Sequence, residues 1–150
     1  MCEKISEKNS EKSYDEIIDQ LFIGSAEALT DSDNFDLIIN CTPDIFIKHP
    51  NKTIRIPMKD NPDECNKLLQ LLKDTDVLEK INTTIHNKQR VLVHCYAGQQ
   101  RSCAVVACYL IKYNNMKPYA CVNHIKMKRR IAFFGEINFI SAIVNFFYTL

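Results

Sequence analysis

Glycine is scarce in this 150-residue chain, with three in all, and that scarcity favours helices over a turn-rich all-β fold. An excess of one charge is lacking too: 19 Lys and Arg stand against 18 Asp and Glu, a formal net charge of +1. Without a strong overall field, neither nucleic acid nor a membrane surface is expected as a partner. No apolar run reaches the length that a membrane span needs. The opening MCEKISEKNSEKS has no apolar stretch, so no secretory signal is expected. No C-x-x-C pair occurs, and His49, His86, His94 and His124 are scattered, so a structural zinc site is not expected. The final FYTL is no prenylation signal, and Cys2 stands where myristoylation needs glycine.

Cysteine, by contrast, is plentiful. Seven is an odd number, which suits free thiols in a reducing, cytoplasmic compartment. The length suggests one domain, able to bury roughly 68–70% of the surface its unfolded chain exposes. Residues 1–13, rich in Lys, Glu and Ser, are expected to form a flexible N-terminal segment. Residues 14–150 then form the domain.

Apolar patterning gives the elements. LFIG, Leu21 to Gly24, reads as a short strand, with Ser25 capping a short helix over Ala26 to Thr30. DLIINC, Asp36 to Cys41, is a near-continuous apolar run, as in a buried strand. TIRIP, Thr53 to Pro57, alternates and stops at proline. From Asp63 a long helix is expected, carrying Leu68, Leu71, Leu72, Val77, Leu78, Ile81 and Ile85. RVLVH, Arg90 to His94, is another buried strand. Helices follow from Ser102 to about Asn114, from Pro118 to about Lys128, and from about Glu136 to Phe147. Strands alternating with helices predict an α/β domain with a central, mostly parallel sheet flanked by helices. Its active site should lie at the carboxyl ends of the strands, and Cys95 directly follows one.

The segment VLVHCYAGQQRS places strand, C-x5-R and helix in succession. In such a loop Tyr96, Ala97, Gly98, Gln99 and Gln100 curl so that successive backbone N–H groups face inward. Gly98 permits the backbone angles and the close approach. The following helix points its positive end at the same spot. Arg101 closes the cradle with two parallel bonds to phosphate oxygens. Such a field lowers a thiol from about 8.5 to about 3.5–7.5, so Cys95 is expected to be a thiolate that attacks phosphorus and forms a covalent phosphoenzyme. Ser102 donates to that sulfur and eases its departure in the second step. His94 has two readings, a satisfied core histidine or a support that bonds backbone near the loop. The basic cluster Lys126, Lys128, Arg129 and Arg130 reads as a solvated helix face or as a contact for an acidic or doubly phosphorylated segment.

HCYAGQQRS fits the H-C-x-x-G-x-x-R-[ST] signature of the protein tyrosine phosphatases. With LFIGSAEA near the start, IPMKDNPDE before the long helix and AFFGEINF before the last one, residues 14–148 resemble a small dual-specificity phosphatase. The brevity and the Asn-, Lys- and Ile-rich character are similar to viral members. The resemblance implies the single-domain protein-tyrosine-phosphatase-like fold. It also implies hydrolysis of phosphotyrosine and phosphoserine or phosphothreonine in proteins, with no metal or other cofactor. A general acid for the leaving oxygen is implied as well. Asp60 matches the family's acid loop, with Asp63 as its rival and as a candidate N-cap. The interval from Asp60 to Cys95 is wider than is usual there, which implies a longer helix or helix exit. A cysteine after a comparable strand is used by related lipid phosphatases to trap the oxidised nucleophile, so Cys41 has two readings, a packed thiol or, as the resemblance implies, a candidate redox partner for Cys95.

Alternatives stay open: a phosphatase of RNA 5′ ends or of lipids, or a pseudophosphatase that binds phosphoproteins without turnover. The neutral Gln99 and Gln100 argue against polyphosphoinositides, and the intact Cys95, Arg101 and Asp60 against the binder. Localisation is expected to be cytoplasmic, or virion-associated for a viral chain. Oligomeric state is left open, with the N-terminal segment a candidate for a dimer contact.

Overall fold

The structure, a computed structural model, describes residues 12–150. The flexible reading of residues 1–13 and the dimer contact built on it fall almost wholly outside the described residues.

Five strands form one sheet in the order β1-β2-β5-β3-β4: β1 Tyr14–Ile18, β2 Leu21–Gly24, β3 Leu37–Asn40, β4 Thr53–Arg55 and β5 Val91–His94. β2, β5, β3 and β4 run parallel. β1 pairs antiparallel on the edge beside β2. Sequence patterning missed β1, because YDEII has one fully buried residue and reads as surface.

The apolar runs in β2, β3 and β5 follow from burial on both faces. Leu21, Ile23, Ile39, Val91 and Val93 face the main helical layer. Phe22, Ile38 and Leu92 face the other way, against Ala28 and Phe35. There a 3-10 segment, Ala26–Asn34, covers the sheet, with the Ser25 hydroxyl accepting from the Glu27 N–H at its start. It outruns the expected helix and is kinked at Asp31.

The long helix expected from Asp63 is three pieces: a 3-10 turn at Pro62–Glu64, α1 Cys65–Asp74 and α2 Val77–His86. The step from Leu72 to Val77 rotates the apolar face by roughly 140° on one helix, so a single rod could not bury both. Thr75 resolves the conflict in an extended conformation. Its hydroxyl and its N–H both donate to the Leu71 carbonyl.

The helix after Cys95, α3 Arg101–Asn114, is the hub: all residues from Ser102 to Ile111 are buried. Asn115 ends it in a left-handed conformation, φ 55°, a conformation asparagine tolerates. α4 Pro118–Lys128 and α5 Ile140–Tyr148 pack against it. No helix among the described residues is long and apolar enough to cross a membrane.

Candidate active site

The loop from Cys95 to Gln100 joins the carboxyl end of β5 to the amino end of α3. Every carbonyl in it is turned outward and bonded. The Cys95 carbonyl lies 3.2 Å from His94 Nδ1. Tyr96 O accepts from Ala26 N–H at 2.9 Å. Ala97 O and Gly98 O accept from the Arg129 guanidinium at 3.3 and 2.8 Å. Gln99 O accepts from Phe133 N–H at 2.6 Å, and Gln100 O from Ala104 N–H at 2.9 Å. None of the backbone N–H groups from Tyr96 to Arg101 donates a bond among the described residues. Outward carbonyls with unspent N–H groups leave a concave set of donors, the geometry of an anion nest.

Gly98 is essential to this shape. Its φ is +70°, and a Cβ there would stand 2.6 Å from Arg129 Nη2 and 2.7 Å from the Gly24 carbonyl.

Arg101 opens α3. Its Nη1 donates to the Met58 carbonyl at 2.9 Å, which joins it to the loop carrying Asp60. Its Nε is buried and has no partner, so the guanidinium holds a donor in reserve for an oxyanion. Cys95, 2% exposed, has its Sγ 3.2 Å from the Ser102 hydroxyl. Tyr96 and Ala97 are exposed at the rim.

His94 projects from the sheet face opposite Cys95. A carbonyl only accepts, so the neutral ring carries its proton on Nδ1 toward the Cys95 carbonyl. Burial lowers its pKa from the ordinary value, with the Arg55 and Arg101 charges acting in the same direction.

Asp60 is exposed, and its Oδ1 accepts from Asn138 Nδ2 at 2.8 Å. Asn138 N–H in turn donates to Gln100 Oε1 at 3.0 Å. The Gln100 amide also reaches the carbonyls of Phe134 and Glu136. One chain of bonds thus links the Cys95 loop, the segment before α5 and Asp60. Asp63 has no such link. The candidate N-cap role for Asp63 falls to Asn61, whose side chain accepts from the Asp63 N–H at 2.8 Å.

Cys41 lies one step past Asn40, which is paired with His94, and its N–H donates to the His94 carbonyl at 2.8 Å. Cys41 and Cys95 belong to the same buried cluster on the helical side of the sheet. Burial pushes the Cys41 thiol well above its ordinary value, and the nearby Cys95 adds to the rise.

The basic cluster divides. Lys126, Lys128 and Arg130 are exposed, but Arg129 is 1% exposed and paired with Asp15 at 2.8 Å. It is therefore no surface contact for an acidic segment. Asn138, Asp15 and the buried role of Arg129 were not visible in the sequence. Only the AFFGEINF stretch, which contains Asn138, carried any signal. Among the described residues no three His, Cys, Asp or Glu side chains group as metal ligands.

Comparison with known proteins follows the same lines. The family described as Dual specificity phosphatase, catalytic domain, matches residues 21–148. "Putative tyrosine phosphatase 123R" of Invertebrate iridescent virus 6 is 31% identical over 132 residues, 87% of this chain and 89% of that protein. Dual specificity protein phosphatase 14 of Mus musculus is 29% identical over 126 residues, 77% of this chain but 60% of its own length. The crystal structure of human DUSP28 superposes with a TM-score of 0.77 at 22% identity, covering 92% of this chain and 95% of that one.

Proposed function

This chain belongs to the dual-specificity phosphatase family of protein-tyrosine-phosphatase-type enzymes, and from that premise we propose how its own residues remove phosphate from phosphotyrosine and phosphoserine or phosphothreonine in proteins. Cys95 is the nucleophile, Arg101 and the loop N–H groups hold the phosphate, Asp60 moves the proton, and Ser102 assists the sulfur. The carrying observation is the outward bonding of every carbonyl from Cys95 to Gln100 around a cysteine.

In the first step Sγ of Cys95 attacks phosphorus and the bond to the leaving oxygen breaks. Asp60 delivers its proton to that oxygen. The N–H groups of residues 96–101 and the free Nε of Arg101 receive the charge gathering on the equatorial oxygens. In the second step water attacks phosphorus, Asp60 takes a proton from it, and the phosphorus–sulfur bond breaks. The Ser102 hydroxyl, 3.2 Å from Sγ, stabilises the departing thiolate. The link from Arg101 to the Met58 carbonyl, and that from Asn138 to Asp60, support Asp60 over Asp63 as the acid. His94 supports the loop through the Cys95 carbonyl.

The neutral Gln99 and Gln100 favour a phosphoprotein over a polyphosphorylated lipid or an RNA 5′ end. The Gln100 side chain is committed to the segment before α5, so it adds nothing to a larger anion site. Six free cysteines among the described residues suit a reducing compartment, the cytoplasm. The test is hydrolysis of an aryl phosphate in chelator, with Cys95→Ser alongside. Turnover by the unaltered protein and none by the variant is expected; absence of turnover by both would remove the proposal in favour of a phosphoprotein binder.

A further inference from the structure

Two carbonyls of the Cys95 loop depend on one side chain far away in sequence. Ala97 O and Gly98 O both accept from Arg129, through Nη2 and Nε. Gly98 O has one other neighbour, the weakly donating Cys103 Sγ at 3.6 Å. Arg129 is itself fixed from behind, since its Nη1 donates to the Asp15 carboxylate at 2.8 Å and to the Lys12 carbonyl at 3.0 Å.

A trans peptide unit carries its carbonyl and the next N–H on opposite sides of one plane. Pinning Ala97 O outward therefore aims the Gly98 N–H inward, and pinning Gly98 O outward aims the Gln99 N–H inward. A flip of either unit removes a donor from the cradle and turns a carbonyl oxygen toward a dianion.

We propose that Arg129, held by Asp15, is a positioning residue that sets the direction of the Gly98 and Gln99 N–H groups, so that the edge strand β1 controls the shape of the phosphate loop. This rests on the reading of the loop as a phosphate site and adds the device that keeps it open. Only a guanidinium fits: its planar fork reaches two carbonyls on one side and a carboxylate on the other. Lysine has the charge without the fork. Gly98 and Arg129 are mutually fitted, because any side chain at position 98 would stand against Nη2. Asp15 offsets a cation that is otherwise buried among carbonyls.

The experiment compares Arg129→Lys and Asp15→Asn with the unaltered full chain. It reads kcat and KM on an aryl phosphate, the affinity for orthovanadate, the melting temperature, and hydrogen exchange of the amides of residues 96–101. Arg129→Lys should lose about tenfold or more in vanadate affinity and in kcat, with a smaller change in KM. Its loop amides should exchange faster, while the cooperative melt is retained. Asp15→Asn should shift the same readouts in the same direction by less. A folded Arg129→Lys within about twofold of the unaltered protein in kcat and vanadate affinity overturns the proposal. If Arg129→Lys does not fold, Asp15→Asn decides on the same threshold. If the unaltered protein neither turns over the aryl phosphate nor binds vanadate, the functional reading fails separately. The clamp is then judged by exchange alone, and equal loop rates in variant and unaltered protein reject it.

Discussion

The side-chain amide of Asn138 donates a 2.8 Å hydrogen bond to Oδ1 of Asp60, 78 positions earlier in the chain. With one oxygen engaged, the other is the one that carries and releases the proton in the proposed mechanism. Asn138→Ala should therefore slow release of a poor alkoxide leaving group by about tenfold and barely affect a good aryl one. Rates across a series of aryl and alkyl phosphates check this. An equal loss on every substrate would mean that Asn138 merely supports the fold.

The same logic separates the two aspartates. Asp60→Asn should cost roughly 10²–10⁴-fold in kcat, the usual contribution of a general acid. Asp63→Asn should stay within about threefold, since Asn61 rather than Asp63 caps the turn. Reversal of that order, measured by steady-state kinetics, would reassign the acid.

Ser102 sits 3.2 Å from the Cys95 sulfur, and in the proposed mechanism it acts when the thiolate leaves. A hydrogen bond to a charged group contributes about 1.5–3 kcal/mol, so Ser102→Ala should slow breakdown of the phosphoenzyme by about 10–100-fold. Rapid-quench experiments should show a burst of aryl product followed by slow turnover. Uniform slowing without a burst would place its role in the first step.

Cys41 and Cys95 follow paired positions on adjacent strands. We propose that peroxide first oxidises Cys95 to a sulfenic acid, which condenses with the Cys41 thiol to give a disulfide and water. Burial keeps the Cys41 thiol protonated, so this closure should be slow. Mass spectrometry of peroxide-treated protein should find the Cys41–Cys95 linkage, and Cys41→Ser should hasten irreversible loss of activity. Peptides showing Cys95 oxidised and Cys41 free at every time point would remove the idea.

His94 gives a pH prediction with a definite sign. Its folded pKa is lowered, chiefly by burial, while the unfolded chain titrates near about 6.5. Below that value the unfolded state binds the extra proton, so the stabilisation is present above about pH 6.5 and is lost as pH falls toward the folded value. The melting temperature should drop between pH 7.5 and 5.5, and His94→Asn should flatten that part of the profile. An unchanged slope in the variant would contradict it.

The amino-acid sequence by itself determined where the loop from Cys95 to Ser102 falls, between a buried strand and a helix start. There the cysteine proposed as nucleophile, the glycine, the arginine and the helix start are neighbours along the chain, and local spacing is enough. It also determined β2, β3 and β5, whose apolar runs reflect burial on both faces. Only the tertiary structure decided what Asn138, Asp15 and Arg129 do. Their partners lie far off in sequence, and a lone asparagine or arginine carries no periodic signal. Arg129 shows the reason most clearly. Between Lys128 and Arg130 it looks like one more solvated cation, yet the end of α4 turns it inward, and burial makes its geometry, rather than its charge, the property that matters.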